Sequence, residues 1–174
     1  HLFEPCPRGA ERCRQRFAPL PRVVVHEQAL SDRTTAGRLW CNSGPNKGWN
    51  TMVEAKLDPG MIEIDVQEVS VADFLSSEKI KAIHLMKIDV EGYEWRVLGG
   101  LLRALQNGAL KRHPVVFVEI GWGDAHPDWE RYSPLFQGFQ ALGYQIGGEF
   151  SGAGGTADRL WLPAGVPPEK LFSL

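Results

Sequence analysis

Hydrophobic residues change their spacing several times along this chain, and each change predicts a helix, a strand or a loop. A short apolar run over residues 82–89 is typical of a parallel strand that is covered on both faces, and a second run covers residues 115–120. Between the two runs, apolar positions recur at helical spacing over residues 97–105. Because right-handed crossovers place such strands side by side, the pattern predicts a βαβ unit with adjacent parallel strands.

The rest of the chain contains weaker patterns. Residues 61–67 alternate between apolar and polar side chains, which predicts a half-exposed strand at a sheet edge. Residues 31–59 are rich in Gly, Asn, Thr and Pro, which predicts a long loop or small insertion with a short strand at 38–41. Further predicted elements are strands at 2–4 and 23–29, helices at 8–17, 72–81 and 132–142, and a terminal antiparallel hairpin that pairs 144–146 with 159–162. Together they predict an α/β fold built as a three-layer sandwich.

The bulk composition fits one domain and excludes some classes of partner. The 174 residues are 43% hydrophobic, which suffices for one core, so residues 1–174 are interpreted as a single domain. With 19 basic and 21 acidic residues, the net charge of −2 argues against binding to nucleic acid or to an anionic membrane. No apolar run reaches the roughly 20 residues of a membrane-spanning helix. The three cysteines lack metal-binding spacing, which predicts a reduced, cytoplasmic setting; the oligomeric state stays open.

Acidic residues stand where each of the two central strands ends. Asp89 closes the first apolar run and is followed by Glu91 and Gly92, while Glu119 lies at the end of the second run. Parallel neighbours lie about 4.8 Å apart, and their carboxyl ends face the usual ligand crevice of an open α/β sheet. Two carboxylates this close repel one another, so the pair predicts a shared proton, a metal ion or a cationic ligand. Asp89, Glu91 and Glu119 are therefore candidate ligands of a divalent metal, and capping of the next loop or helix is the structural alternative.

The same residues belong to a specific sequence motif. Lys-Ile-Asp-Val-Glu-Gly at 87–92 is preceded by Val-Ala-Asp-Phe-Leu at 71–75 and followed by Val-Leu-Gly-Gly at 97–100. Further segments agree in the same order at 3–5, 28–32 and 116–120. In these segments, which extend over nearly the whole chain, the sequence resembles the FkbM family of methyltransferases. The resemblance implies a Rossmann-like class I methyltransferase fold, S-adenosylmethionine as the methyl donor, and O-methylation of a hydroxyl on a small molecule or glycan.

The resemblance also implies which residues contact the donor. Glu4, at the end of the first strand, is expected to accept hydrogen bonds from the ribose diol, and an ordinary loop acid before Pro5 is the alternative. The backbone of Ala29 and Leu30, or the side chain of Asp32, is expected to border the adenine, although Ser-Asp at 31–32 is equally typical of a turn. Asp89 is expected to face the donor from the end of its own strand.

Methyl transfer to a hydroxyl also requires that the hydroxyl lose its proton. A general base can accept that proton, or a metal ion can lower the pKa of the hydroxyl. The candidate catalytic residues are Asp89, Glu119 and His126, the last because its loop follows the second central strand. A plain surface-loop histidine is the alternative for His126, and the sequence leaves the base and metal mechanisms open.

One departure from the family pattern shapes the expectations. A strand and a glycine-rich turn normally precede the segment that ends at Glu4, and no such unit precedes it here. We therefore expect residues 1–174 to be the C-terminal portion of a methyltransferase domain, with a gap in its sheet and weak donor binding. Two other functions stay open: a non-catalytic binding or scaffold module with this fold, and a metal-dependent hydrolase that uses Asp89, Glu91, Glu119 and His126.

Overall fold

The computed structural model describes residues 1–42, 49–54, 57, 59–121, 125–151 and 157–167. Within these ranges the chain forms three small β-sheets and four α-helices. The strands are β1 (Leu2–Phe3), β2 (Val25–His26), β3 (Ala29–Ser31), β4 (Thr35–Asn42), β5 (Met61–Ser70), β6 (Leu85–Ile88), β7 (Val115–Ile120), β8 (Gln145–Ser151) and β9 (Ala157–Leu162). The helices are α1 (Pro7–Phe17), α2 (Val71–Ser77), α3 (Glu94–Gln106) and α4 (Tyr132–Ala141). None of these described helices has the length and apolar character needed to cross a membrane.

The predicted α/β class and its central parallel pair are confirmed. β6 and β7 pair in parallel from Leu85↔Val115 to Ile88↔Val118, and α3 connects them. β7 also pairs antiparallel with β9, and β9 pairs antiparallel with β8, so the predicted C-terminal hairpin is present. The resulting four-stranded sheet has the order β6-β7-β9-β8.

The region between residues 31 and 70 differs from its prediction. β4 is an eight-residue strand that pairs antiparallel with β5, and β3 joins them in a sheet of order β3-β5-β4. β5 is therefore a central strand, and the prediction of an edge strand at 61–67 is wrong. Its alternating pattern has another cause, because one face of this sheet is buried at Val66 while the other is exposed at Asp65. The sequence did not predict the full length of β4, because its glycine and polar residues have low strand propensity. Antiparallel pairing with β5 stabilises the strand instead.

The predicted strand at 23–29 is divided between two sheets. Val25–His26 pairs in parallel with β1, whereas Ala29–Ser31 pairs in parallel with β5. Residues 27–28 form the bend between them. The chain thereby connects the two-stranded β1-β2 sheet to the three-stranded sheet within a few residues.

The main hydrophobic core lies on one face of the four-stranded sheet. Val116, Val118 and Ile120 of β7 are almost fully buried against apolar residues of α3 and α4. Side chains alternate between the two faces of a strand, and on the opposite face Leu85 of β6 is 63% exposed. The prediction that β6 is covered on both faces is therefore wrong for the described residues, and the three-layer sandwich stays a prediction.

Helix α3 packs closely against β3 because of a glycine. A Cβ atom on Gly100 would lie 2.6 Å from the carbonyl oxygen of Ser31, and real Cβ atoms do not approach an oxygen so closely. The second glycine of the motif therefore has a packing reason. The loop at residues 89–93, the motif loop, lies between β6 and α3. Since α3 begins directly after it, the contact at Gly100 also positions the motif loop relative to β3.

Candidate functional site

A large cavity lies between β1 and the exposed edge of β6. Its volume is about 790 Å³, within the roughly 300–1,000 Å³ range of small-molecule sites. Four of the five residues that the sequence assigned to the donor line it, namely Glu4, Ala29, Leu30 and Asp89. Glu91 lines it as well, whereas Asp32, Glu119 and His126 are not among the lining residues. The structure thus brings most of the predicted donor site together.

Two strand edges border this cavity. The backbone N–H groups of the residues on either side of Phe3 donate to the carbonyls of Val24 and His26, so the peptide groups of Phe3 point away from β2. In β6, the register with β7 leaves the peptide groups of Leu85 and Lys87 on the edge that faces away from β7. Phe3, Leu85 and Lys87 all line the cavity. The cavity is therefore bordered by backbone donors and acceptors from strands of two different sheets.

Glu4 presents a carboxylate at the carboxyl end of β1. Its Oε1 accepts a hydrogen bond from the backbone N–H of Cys6 at 2.9 Å, which fixes the side chain just before α1. Gly9 makes room for the carboxylate, since a Cβ atom there would lie 2.6 Å from Cδ of Glu4. Burial raises the pKa of Glu4 above its ordinary value. The Oε2 atom has no hydrogen-bond donor among the described residues, so it is available to a ligand.

Glu94 holds the motif loop from inside the protein. Its Oε1 accepts hydrogen bonds from the backbone N–H groups of Gly92 at 2.9 Å and Val90 at 3.3 Å. Its Oε2 accepts a hydrogen bond from the Tyr132 hydroxyl at 3.1 Å. Glu94 is only 1% exposed, and this burial raises its pKa even though the hydrogen bonds oppose the shift. A buried carboxylate with this many donors keeps the loop in one conformation.

His126 and Thr51 fasten the same loop from two other directions. Nε2 of His126 donates to the carbonyl of Gly92 at 2.8 Å, while Nδ1 accepts from the backbone N–H of Asp128 at 2.9 Å. The Thr51 hydroxyl donates to the carbonyl of Glu91 at 2.8 Å. His126 is 3% exposed, so it is not a surface-loop histidine. Its observed contacts are those of a positioning residue, and its catalytic role stays a prediction.

The loop that these side chains hold is strained. Glu91 has φ 51° and Gly92 has φ 99°, so two consecutive residues adopt left-handed backbone. For a non-glycine residue this conformation costs roughly 1–2 kcal/mol. Such strain persists where surrounding contacts over-determine the backbone, and it concentrates at functional sites. The position of Glu91 beside the cavity therefore marks the loop as a site feature.

The carboxylates at the ends of β6 and β7 lie close enough to interact. The parallel register carries Asp89 and Glu119 to neighbouring strand ends. Asp89 Oδ2 accepts a hydrogen bond from Lys87 Nζ at 2.6 Å, so the lysine forms an ion pair at the cavity. Burial, and then the negative charges of Asp89 and Asp158, raise the pKa of Glu119. Glu119 thus keeps its proton to a higher pH than an ordinary glutamate.

Asp32 has a structural partner on α3. Its carboxylate forms ion pairs with Arg96 at 3.0 Å and Arg103 at 2.9 Å. Burial acts to raise the pKa of Asp32, but the hydrogen bonds from the two arginines outweigh it and leave the pKa below its ordinary value. These contacts dock α3 against the end of β3. The adenine contact predicted for Asp32 stays a prediction.

The predicted metal set does not form a metal centre in the described chain. Within residues 1–42, 49–54, 57, 59–121, 125–151 and 157–167, no three His, Cys, Asp or Glu side chains are grouped so that they could hold a metal ion. Asp89, Glu91 and Glu119 therefore lack the geometry that was expected of them. The interpretation as a metal-dependent hydrolase has no support in these residues.

Sequence reasoning missed the residues that hold the loop. Glu94 carried a signal, because an acid in the first turn of a helix is typical of a capping interaction as well as of the helix dipole. Thr51 and Tyr132 carried none, since their partners lie 40 and 38 residues away along the chain. Only the packing of α4 and of the segment before β5 brings them to the loop.

Comparisons with known proteins place the sequence among methyltransferases. The methyltransferase FkbM domain family matches residues 1–146. The 2-O-methyltransferase NoeI of Sinorhizobium fredii (strain NBRC 101917 / NGR234) is 30% identical over 112 residues, which are 56% of this chain and 45% of that protein, so this chain spans less than half of its relative. No solved structure matches the chain. Because the family match covers most of the sequence, the resemblance seen in the motifs is confirmed, and the chain belongs to the FkbM methyltransferase domain family.

Proposed function

We propose that this chain forms the S-adenosylmethionine site of a methyltransferase that acts on a hydroxyl oxygen of a small molecule or glycan. One structural observation carries the proposal: a cavity of about 790 Å³ that Glu4 and Asp89 line from the carboxyl ends of two strands. Membership of a methyltransferase family supports methyl transfer. The name of the relative, a 2-O-methyltransferase, supports oxygen as the accepting atom.

The residues that line the cavity fit this donor. Glu4 suits the ribose, because its Oε2 has no donor among the described residues and a carboxylate accepts hydrogen bonds from a diol. Ala29 and Leu30 offer backbone groups and apolar surface for the adenine. When bound, S-adenosylmethionine supplies an electrophilic methyl carbon with a neutral thioether as leaving group. The protein then has to align the acceptor oxygen with that carbon and accept the hydroxyl proton.

Asp89 and Glu119 have different proposed roles in alignment and proton transfer. The bound donor would supply the methyl group and would leave as a neutral thioether, while a carboxylate of the protein would accept the hydroxyl proton. Glu119 is the proposed base: burial and the neighbouring carboxylates raise its pKa above its ordinary value, and its strand ends beside Asp89, although Glu119 is not itself among the lining residues of the cavity. Asp89 lines the cavity beside Lys87 and places negative charge opposite a cationic donor. Glu94, His126 and Thr51 keep the intervening loop in position.

We also propose that a further strand completes the sheet between β1 and β6. The support is a pair of strand edges that no described residue pairs with, formed by the peptide groups of Phe3 on one side and of Leu85 and Lys87 on the other. Such a strand, supplied by polypeptide other than the described residues, would join two of the sheets into one Rossmann-like sheet. Hydrogen exchange tests it, since the Leu85 and Lys87 amides should exchange faster than those of Met86 and Ile88. In a longer chain that supplies the strand, all four should be protected.

Donor binding followed by transfer tests the function. Isothermal titration calorimetry with S-adenosylmethionine measures binding, and transfer of a labelled methyl group to hydroxyl-bearing acceptors measures activity. Glu4→Gln should weaken donor binding, and Asp89→Asn should stop transfer while binding persists. A chain that binds no donor even when the additional strand is supplied would contradict the proposal and favour a scaffold role.

A further inference from the structure

A second cavity lies beside the first. Its volume is about 600 Å³, and it is bounded by the β4-β5 ladder, the start of α3 and the segment before α4. Met52 and Tyr93 line both cavities, so the two share a wall. A ligand in the second cavity would therefore lie next to a ligand in the first.

Four arginines line this second cavity, and each already has an ion-pair partner. The N–O distances are 3.6 Å from Arg33 to Glu68, 3.3 Å from Arg38 to Glu63, 3.0 Å from Arg96 to Asp32 and 2.9 Å from Arg131 to Asp128. Pairing offsets the positive charge, yet a guanidinium has five N–H groups and keeps some of them for another acceptor. The arginines therefore offer a ligand hydrogen-bond donors, but little net positive charge that would attract an anion.

The indole of Trp95 fixes two of these guanidinium groups. The Cζ atoms of Arg96 and Arg131 lie 4.3 Å and 4.6 Å from its ring centroid, which is cation–π geometry. Nε1 of Trp95 and Nε of Arg96 are also buried without an acceptor among the described residues. A buried donor without a partner costs roughly 1–3 kcal/mol, and the stacking of Trp95 against the two guanidinium groups has to offset that cost.

Carboxylates in the same wall provide acceptors. Glu54 and Asp65 line the cavity, are exposed, and have no ion-pair partner among the described residues. The buried Glu68 accepts hydrogen bonds from the hydroxyls of Ser31 at 2.6 Å and Tyr93 at 3.0 Å. Burial, and then the charge of Glu68, raise the pKa of Tyr93 to about 12, so its hydroxyl stays a donor at neutral pH. Together with Asp128, the lining acids number four and thus balance the four arginines.

We propose that the second cavity is the acceptor site and that it takes a neutral, polyhydroxylated ring such as a sugar residue. Each hydroxyl both donates and accepts hydrogen bonds, which matches a wall where guanidinium donors alternate with carboxylate acceptors. A phosphate or carboxylate ligand would instead meet Glu54 and Asp65 and would compete with existing ion pairs. The assignment of this cavity as the acceptor site rests on the proposed function. The binding of a neutral sugar ring in it does not.

Ligand binding in the absence of the methyl donor tests the site. Saturation-transfer NMR compares neutral methyl hexosides and neutral oligosaccharides with the matched methyl hexuronides and with inorganic phosphate. Neutral glycosides should bind, and the two anionic classes should bind about tenfold more weakly or worse. Preferential binding of a hexuronide or of phosphate, or failure of every neutral glycoside to bind, would overturn the proposal.

Three variants locate the binding. Asp65→Asn and Arg131→Gln each alter an exposed polar group, and Trp95→Phe keeps an aromatic ring but weakens the cation–π contacts that hold Arg96 and Arg131 in the wall. Each should weaken glycoside binding about 3- to 10-fold. Glu11→Gln on the exposed face of α1 is the matched control and should change nothing. Melting temperatures show that each variant is folded.

The two proposals fail in different ways. If neutral glycosides bind and the variants weaken them, but no acceptor is methylated, the site stands and the proposed function fails. If a sugar is methylated with an acceptor KM that Asp65→Asn and Trp95→Phe leave unchanged, the function stands and this site is wrong.

Discussion

The two neighbouring cavities differ in what holds a ligand. The first is lined mainly by apolar residues of β1, α2 and β6, with carboxylates at the strand ends and open backbone edges on two sides. The second is lined by balanced charges that are fixed by ion pairs and by Trp95. Affinity in the first depends on burial and on how complete the sheet is, whereas affinity in the second depends on hydrogen bonds from side chains already in place. Variants that separate donor binding, acceptor binding and stability can therefore test the comparison.

Asp89→Asn should have the largest effect, and it belongs to the first cavity. We expect methyl transfer to fall at least about 10²-fold, because the charge opposite the donor and beside the base is lost. The melting temperature should change little, since the side chain of Asp89 is 37% exposed and α3 begins beyond it. Initial rates and thermal unfolding measure the two quantities. An unfolded variant would show that Asp89 serves the fold instead.

Glu94→Ala should lower stability, because Glu94 holds the loop that precedes Tyr93 in the wall between the cavities. Removing this carboxylate leaves the N–H groups of Val90 and Gly92 and the Tyr132 hydroxyl without their acceptor. We expect the free energy of unfolding to fall by roughly 2–4 kcal/mol. Denaturant unfolding measures it, with Glu11→Ala on exposed α1 as the control. A loss equal to that of the control would mean that Glu94 does not hold the loop.

Glu4→Gln and Asp65→Asn should each weaken the binding of only one ligand, the donor or the glycoside. Glu4→Gln should weaken donor binding about tenfold, the value of one hydrogen bond to a charged group, and leave glycoside binding unchanged. Asp65→Asn should do the reverse. Calorimetry with each ligand on both variants gives the four constants. If either variant weakens both ligands equally, the cavities form one site and the comparison fails.

The pH dependence of stability should sharpen the role of Glu94. Because burial raises its pKa above 4.5 in the folded protein, the folded chain keeps this proton at pH values where the unfolded chain has lost it. The resulting contribution to stability is complete below pH 4.5 and is lost as the pH rises through the folded pKa. Glu94→Gln cannot titrate, so the difference between wild type and variant should change across that window. A difference that is constant with pH would contradict the shift.

Gly9→Ala should have the smallest effect and test the position of Glu4. The new methyl group would displace the Glu4 carboxylate, so we expect donor binding to weaken a few-fold while glycoside binding is unchanged. Gly99→Ala is the control, since a Cβ atom there meets its nearest neighbour at 3.7 Å. Equal donor affinity in both variants would show that Glu4 has no fixed position.

Local patterns were sufficient to predict the β6-α3-β7 unit and the acids at its strand ends. Strand and helix periodicity are properties of a few successive residues, and a right-handed crossover then leaves one arrangement for the two strands. The register of β6 and β7 places Asp89 beside Glu119 as that reasoning expected. The motif that includes these residues also led to the family that the comparison confirmed.

Long-range packing was required for the rest. β4 is a strand because β5 pairs with it, and Glu94 holds the loop because Tyr132 arrives from a helix 38 residues away. His126 is buried under the loop, and Leu85 is exposed, although their local sequences suggested the opposite. No sequence pattern predicts the second cavity. Most of its arginines and acids come from β4, β5, α3 and the segment before α4. Hydrogen bonds and ion pairs between distant segments depend on which elements pack together, and that information is not contained in the spacing of neighbouring residues.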